Sequence, residues 1–170
     1  MNTTIKILAL GTMTLFWNCK ESTKEDFKIN YPKEELGVIK ATYSDGSLAI
    51  GGFNRGYKNY EEKSNYPWSL KITMELDKKN CNPNGLPMDS ESKLVNQIED
   101  ELVEKMLKIS PIHNVGHLFN SNQLDIYLYI RDKKKIDTWL QLERKKENVQ
   151  RSFSYEINKD RNWSLIENFM

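Results

Sequence analysis

Apolar and polar positions change their spacing several times along the chain, and each change marks an element. Trp68, Leu70, Ile72, Met74 and Leu76 alternate with Ser69, Lys71, Thr73 and Glu75, which predicts a strand with one face on a core and the other in water. After the breakers Pro83, Gly85 and Pro87, the apolar residues Leu94, Ile98, Leu102 and Met106 recur at four-residue steps, with Val95 and Leu107 beside them. That is a helix capped by Asp89, with Glu91 favouring its positive end, and it stops before Pro111. Glu101 to Lys105 and Glu104 to Lys108 read as outward i,i+4 pairs.

Two further strands follow, Val115 to Asn120 and Leu124 to Arg131, joined by Ser121-Asn122-Gln123. In the second, Leu124, Ile126, Leu128 and Ile130 share one face, and Asp125, Tyr127, Tyr129 and Arg131 share the other. A helix from Lys134 to Lys146 is built around Ile136, Trp139 and Leu140. Phe153, Tyr155 and Ile157 form a last strand, and Trp163 to Phe169 a terminal turn or two. Upstream, Val38 to Tyr43 and Ser47 to Phe53 flank Ser44-Asp45-Gly46, a hairpin signal. From Trp68 the order is strand, helix, strand, strand, helix, strand. This predicts an α+β fold, a ferredoxin-like βαββαβ sandwich with an added amino-terminal hairpin. Both helices then cover one sheet face, and the other face is left for solvent, the hairpin or a partner.

The 170 residues are 38% hydrophobic, enough for one core and short for two. Residues 36–170 are therefore read as a single domain. With 25 basic and 24 acidic side chains the net charge is +1, and this balance argues against a nucleic-acid partner. The two cysteines, Cys19 and Cys81, cannot form a disulfide framework if the first is modified.

The amino terminus changes the picture most. Lys6 precedes an apolar run from Ile7 to Trp17 that ends near Cys19, too short to span a bilayer and of signal-peptide length. Lys20-Glu21-Ser22-Thr23-Lys24-Glu25-Asp26 follows without hydrophobic period. This start resembles bacterial lipoprotein signals, in which peptidase cleaves before a cysteine that is then acylated. Asn18 stands where most such signals have a small residue, and the relaxed signals of Bacteroidota are similar. Cys19-Lys20-Glu21 also resembles that phylum's surface-export signal. The resemblance implies a leader over residues 1–18, lipid on Cys19, a flexible tether over 19–35, and location on the periplasmic or surface side of the outer membrane.

Several segments together resemble the bacterial family known as domain of unknown function 695. They are Ala49 to Tyr60, Tyr66-Pro67-Trp68, Gly85-Leu86-Pro87, Leu94 to Leu102, Tyr129-Ile130-Arg131-Asp132 and Asp160-Arg161-Asn162-Trp163. Domains similar to regulator of ribonuclease activity B, a ferredoxin-like ribonuclease inhibitor, lie in its neighbourhood. The resemblance implies the fold and carries no catalytic residues.

Candidate chemistry is sparse. Glu99-Asp100-Glu101 cannot converge on one bond, because consecutive helical residues point about 100° apart; a solvated helix face is expected, with a hydrolase using Glu99 or Asp100 and a histidine as the alternative. His113 and His117 have metal-pair spacing only if helical, which Pro111 and Gly116 oppose. No metal or cofactor is expected, and Cys81 is read as a free thiol. The favoured binding surface is the Tyr127, Tyr129 and Arg131 row together with the Asn54, Arg55 and Tyr57 loop, where Arg55 is expected to pair with Asp132. No phosphate loop, Gly-x-Ser-x-Gly or His-Glu-x-x-His motif is present. The expectation is a non-catalytic envelope module that binds a protein or small ligand; the alternatives are that hydrolase and, if the first nineteen residues are not an export signal, a ribonuclease-inhibitor-like regulator.

Overall fold

Alternating apolar residues produce six strands: β1 (Leu36–Thr42), β2 (Leu48–Asn54), β3 (Trp68–Glu75), β4 (Ile112–Asn120), β5 (Gln123–Ile130) and β6 (Phe153–Lys159). Two helices, α1 (Asp89–Leu107) and α2 (Lys133–Glu143), complete the regular structure. These elements come from a computed structural model that describes residues 29–147 and 149–170. The expected leader and Cys19 lie outside the described residues.

The strands form one antiparallel sheet in the order β1-β2-β4-β5-β3-β6, so the chain is a mixed α+β protein. β1 turns into β2 at Gly46, whose φ is +83°. The β4–β5 turn puts Ser121 and Asn122 at φ +48° and +61°, the positive pair that matches the twist of a tight hairpin. A bulge between Asn114 and Gly116 shifts the β4 register, so that Asn114 and His117 both turn toward α1.

On the helix side, Leu70, Ile72 and Met74 of β3 and Leu124, Ile126, Leu128 and Ile130 of β5 pack with Val95, Leu102 and Met106 of α1 and Ile136 and Leu140 of α2. The buried stripe of α1 also contains two acids, Glu91 and Glu99. Glu91 does more than favour a helix end. It accepts hydrogen bonds from the Asp77 amide (2.9 Å), Asn80 Nδ2 (3.2 Å) and Arg151 Nε (2.8 Å), and Arg151 Nη2 makes a second contact. This fork joins three chain segments. Of the expected surface pairs, Glu101 accepts instead from Gln97, and Lys105 reaches Glu143 of α2.

The second sheet face has its own core of Ala49, Phe53, Val115, Leu118, Tyr127 and Tyr129, closed by Tyr57, Tyr60, Tyr66, Trp163 and Ile166. Residues 30–35, expected to belong to the flexible tether, lie against the domain. The Asn30 carbonyl accepts from the Tyr60 hydroxyl at 2.8 Å, and the amides of Glu35 and Arg55 bond to Asn54 Oδ1 and the Glu35 carbonyl. A Cβ on Gly56 would sit 2.0 Å from the Lys33 carbonyl oxygen. Glycine there lets this strap pass close to the loop.

Candidate functional site

The sheet face expected to be open is closed. Tyr127 and Tyr129 are buried, and the cover is the carboxy-terminal segment rather than the β1–β2 pair. The Trp163 ring stacks on Tyr129 at 4.0 Å between centroids and 6° between planes, and Phe169 meets both Phe53 and Tyr127. Trp163 has left-handed backbone angles, φ 60° and ψ 39°, a strained state for a bulky residue that surrounding contacts must hold. Those contacts are two carbonyls, Lys63 and Tyr66, each 3.1 Å from the indole Nε1. Asp160 supplies the second anchor. It accepts from Tyr129 Oη at 2.6 Å and from the Ser164 and Leu165 amides at 2.9 Å. Burial opposes ionisation of Asp160, yet these donors outweigh it and hold the carboxyl below its usual range. Burial, followed by the bond to Asp160, pushes the Tyr129 phenol well above its ordinary value. Only Arg131 of that row is exposed, and its guanidinium lies 5.1 Å from the Tyr66 ring centre. The row is a second core, as aromatic residues facing a sheet become when another segment covers them.

Next to this lid, His113 is fully buried. Its Nδ1 and Nε2 lie 3.1 Å from the hydroxyls of Tyr57 and Tyr60, and the Tyr66 ring is 4.1 Å away. The Tyr60 proton goes to the Asn30 carbonyl, so the Tyr60 oxygen accepts from His113 Nε2–H and Nδ1 accepts from Tyr57. Burial lowers the imidazole to about 4. A neutral ring therefore relays hydrogen bonds from the loop to the strap.

The Asn54–Tyr57 loop is held from both sides. Asn54 Oδ1 accepts from the Gly56 and Glu35 amides, an Asx arrangement that starts the short 3₁₀ turn Arg55–Asn59. Arg55 is exposed, and the expected pair with Asp132 is not formed. Asp132 instead caps α2 through the Lys135 amide at 3.0 Å and faces the Lys135 ammonium, the ordinary use of an aspartate at a helix start.

Between strap, loop and helix lies a pocket of about 270 Å³. Val103 and Leu107 of α1 and Ile112 of β4 form its aliphatic wall, while Tyr31, Pro32 and Tyr57 supply the strap and loop side. Its polar lining is Glu34, Asn54 and Asn114. Asn54 and Tyr57 thus belong to one site, and Arg55, Tyr127, Tyr129 and Arg131 are not among its lining residues.

Glu99, expected on a solvated face, is buried, whereas Asp100 is exposed. The Glu99 carboxylate accepts from Asn114 Nδ2 at 2.8 Å and contacts His117 Nδ1 at 2.7 Å. The bulge produces this meeting by bringing both β4 side chains to the helix side. His113 and His117 face opposite sides of the sheet, and among the described residues no three His, Cys, Asp or Glu side chains converge as a metal site requires. Cys81 is a buried free thiol, raised by burial and the nearby Glu91 and Asp77.

A model described as a family of unknown function, DUF695, matches residues 41–170. The chain belongs to the DUF695 family. Comparison with curated proteins and with solved structures gave no match. The DUF695 match covers the pocket's α1 and β4 walls and the Asn54–Tyr57 loop; the strap residues 30–35 precede it. Strap contacts were hidden in the sequence because Asn30 acts through its carbonyl, which has no residue signature. Trp163 was legible as an apolar residue of the Asp160-Arg161-Asn162-Trp163 segment, but its lid role needed the sheet partner Tyr129. Arg151 carried no local signal at all, since its partner Glu91 is sixty positions away.

Proposed function

We propose that this DUF695 protein is a lipid-anchored, non-catalytic binding module of the bacterial cell envelope, which holds a small ligand or a partner's side chain in the pocket beneath the strap. The observation that carries the binding reading is that pocket, where apolar walls surround a few polar groups, the usual make-up of a recognition site. The filled second face favours it over the sheet surface. The strand order β6-β3-β5-β4 with two helices on one side supports a ferredoxin-like unit from Trp68 to Lys159, extended at β4 by β1 and β2. Lipid on Cys19 rests on the leader alone. No described helix is long and apolar enough to cross a membrane, and acyl chains would hold the domain at roughly 0.8 kcal/mol per buried methylene.

The test is purification of the full chain from solubilised envelopes as wild type and as Val103→Trp, which fills the pocket from a half-buried position. Mass spectrometry should find a protein or small molecule retained by the wild type and lost with Val103→Trp, while Arg131→Ala keeps it. Equal recovery from all three would overturn the reading.

A second reading is favoured by the 2.7 Å contact between Glu99 and His117. A carboxylate on Nδ1 leaves Nε2 of His117 to take a proton from water, the arrangement of a general base. The runner-up is therefore a hydrolase using Glu99 and His117, without Asp100. Hydrolysis of an ester panel abolished by His117→Gln would favour it; the binding module predicts identical background rates.

A further inference from the structure

Three buried side-chain atoms among the described residues lack a hydrogen-bond partner: Asn96 Oδ1, Ser110 Oγ and Asn114 Oδ1. Only Asn114 lines the pocket. Its orientation is determined, because Glu99 Oε1 can only accept and therefore takes the Nδ2 hydrogen. The amide oxygen is left as a free acceptor in a buried place, which is costly unless a donor meets it. The bond to a carboxylate also polarises the amide and makes its oxygen a stronger acceptor.

The remaining lining fixes the sign of the charge. Glu34 is exposed and is the one formal charge on the pocket wall, and no Lys, Arg or His belongs to that lining. Asn54 Oδ1 is already occupied by two amides. The aliphatic side chains of Val103 and Leu107 and the rings of Tyr31 and Tyr57 surround these groups, and aromatic rings also attract cations.

We propose that the pocket binds a primary alkylammonium, which donates to Asn114 Oδ1, pairs with the Glu34 carboxylate and lays its methylene stem on Val103 and Leu107. An ammonium's three tetrahedral donors can serve one amide oxygen and one separate carboxylate, whereas a guanidinium fork is matched by a coplanar pair of acceptors, which a lone amide oxygen does not supply. The ammonium is either a lysine side chain of a partner or a free amine. This inference names the ligand class of the pocket and rests on reading it as the binding site.

The test is ligand titration of the purified full chain followed by NMR methyl shifts of Val103, Leu107 and Ile112. The probes are Nα-acetyl-lysine amide, cadaverine, and Nα-acetyl-norleucine amide, which keeps the stem and lacks the charge. The two amines should move those methyls with affinities on the order of tenfold or more above the norleucine probe. Glu34→Gln should weaken amine binding roughly threefold to tenfold at an unchanged melting temperature, and Asn114→Leu should weaken it as well. Binding of the lysine probe alone would support a protein source, and binding of cadaverine alone a free amine. Equal binding of norleucine, no amine binding up to about 10 mM, or an indifferent Glu34→Gln overturns the ammonium. Should the amines fail while Val103→Trp still loses an envelope partner, only the ligand class falls; if Val103→Trp also changes nothing, the pocket reading falls with it.

Discussion

His113 is neutral, buried and fully hydrogen-bonded, and each property follows from its neighbours. Its imidazole is lowered to about 4 by burial, with Glu62 opposing and Arg131 assisting, against 6.5 in the unfolded chain. Between those values the unfolded state binds more protons, so this residue's contribution is complete above about pH 6.5 and is lost as the pH falls toward 4. The loss is about 3 kcal/mol. Denaturant unfolding of wild type and His113→Gln across pH 4 to 7 should show a stability slope in the wild type that is much reduced in the variant. Parallel slopes would show that His113 does not titrate on unfolding. Trp163 offers a second measurement at the same scale. Trp163→Ala should cost about 3–5 kcal/mol and raise the solvent exposure of Tyr129, read by fluorescence quenching. The sequence placed both histidines outside a helix, as β4 has them, because Pro111 and Gly116 are local signals. It could not place them on opposite faces, since the bulge at Asn114/Gly116 moves His117 across the strand. Glu99 was misread for a related reason. An acidic triplet on a helix looks solvated until a strand supplies donors to one member.

At the scale of elements, periodicity was informative and long-range pairing was not. The six strands and two helices stand near their expected places with shifted ends, β1 and β2 on the turn signal at Asp45-Gly46 rather than on alternation, and α1 has Met88 at its N-cap position where Asp89 was expected. α2, for example, runs Lys133–Glu143 and stops short of Lys146. What periodicity leaves out is how segments without period attach. The strap is charged and aperiodic, yet it docks through backbone groups that composition does not report. Likewise Glu91 fastens the start of α1 to the turn after β3 and to the segment before β6. Its carboxyl is held below the usual range chiefly by the Arg151 bonds, against the opposition of burial. Removing one partner strands a buried charge, so Arg151→Leu should destabilise by about 3 kcal/mol. The double variant Glu91→Leu/Arg151→Leu should recover part of that loss in thermal unfolding. A double variant no more stable than the sum of the singles would argue that the two do not act as a pair.

At the scale of the whole molecule, two faces of one sheet are filled by different means. Helices cover the first, and a tryptophan lid, 3₁₀ turns and a strap cover the second. One recess lies where strap, loop and α1 meet. The proposed leader over residues 1–18 and the proposed lipid on Cys19 are tested by Cys19→Ser. The wild type should fractionate with membranes carrying added acyl mass, and the variant should be released; a variant that stays membrane-bound would remove the lipid anchor. Membership in the DUF695 family places residues 41–170 in a known sequence group and assigns them no activity, so the site has to be tested on its own geometry. The most direct measurement is site-specific photo-crosslinking in living cells from position 31, an exposed tyrosine at the pocket rim, beside position 161, on an exposed turn before the Trp163 lid. A discrete adduct from position 31, absent from position 161 and abolished by Val103→Trp, is the predicted result. Adducts from position 161 alone, or adducts from position 31 that survive Val103→Trp, would contradict the pocket as the binding site.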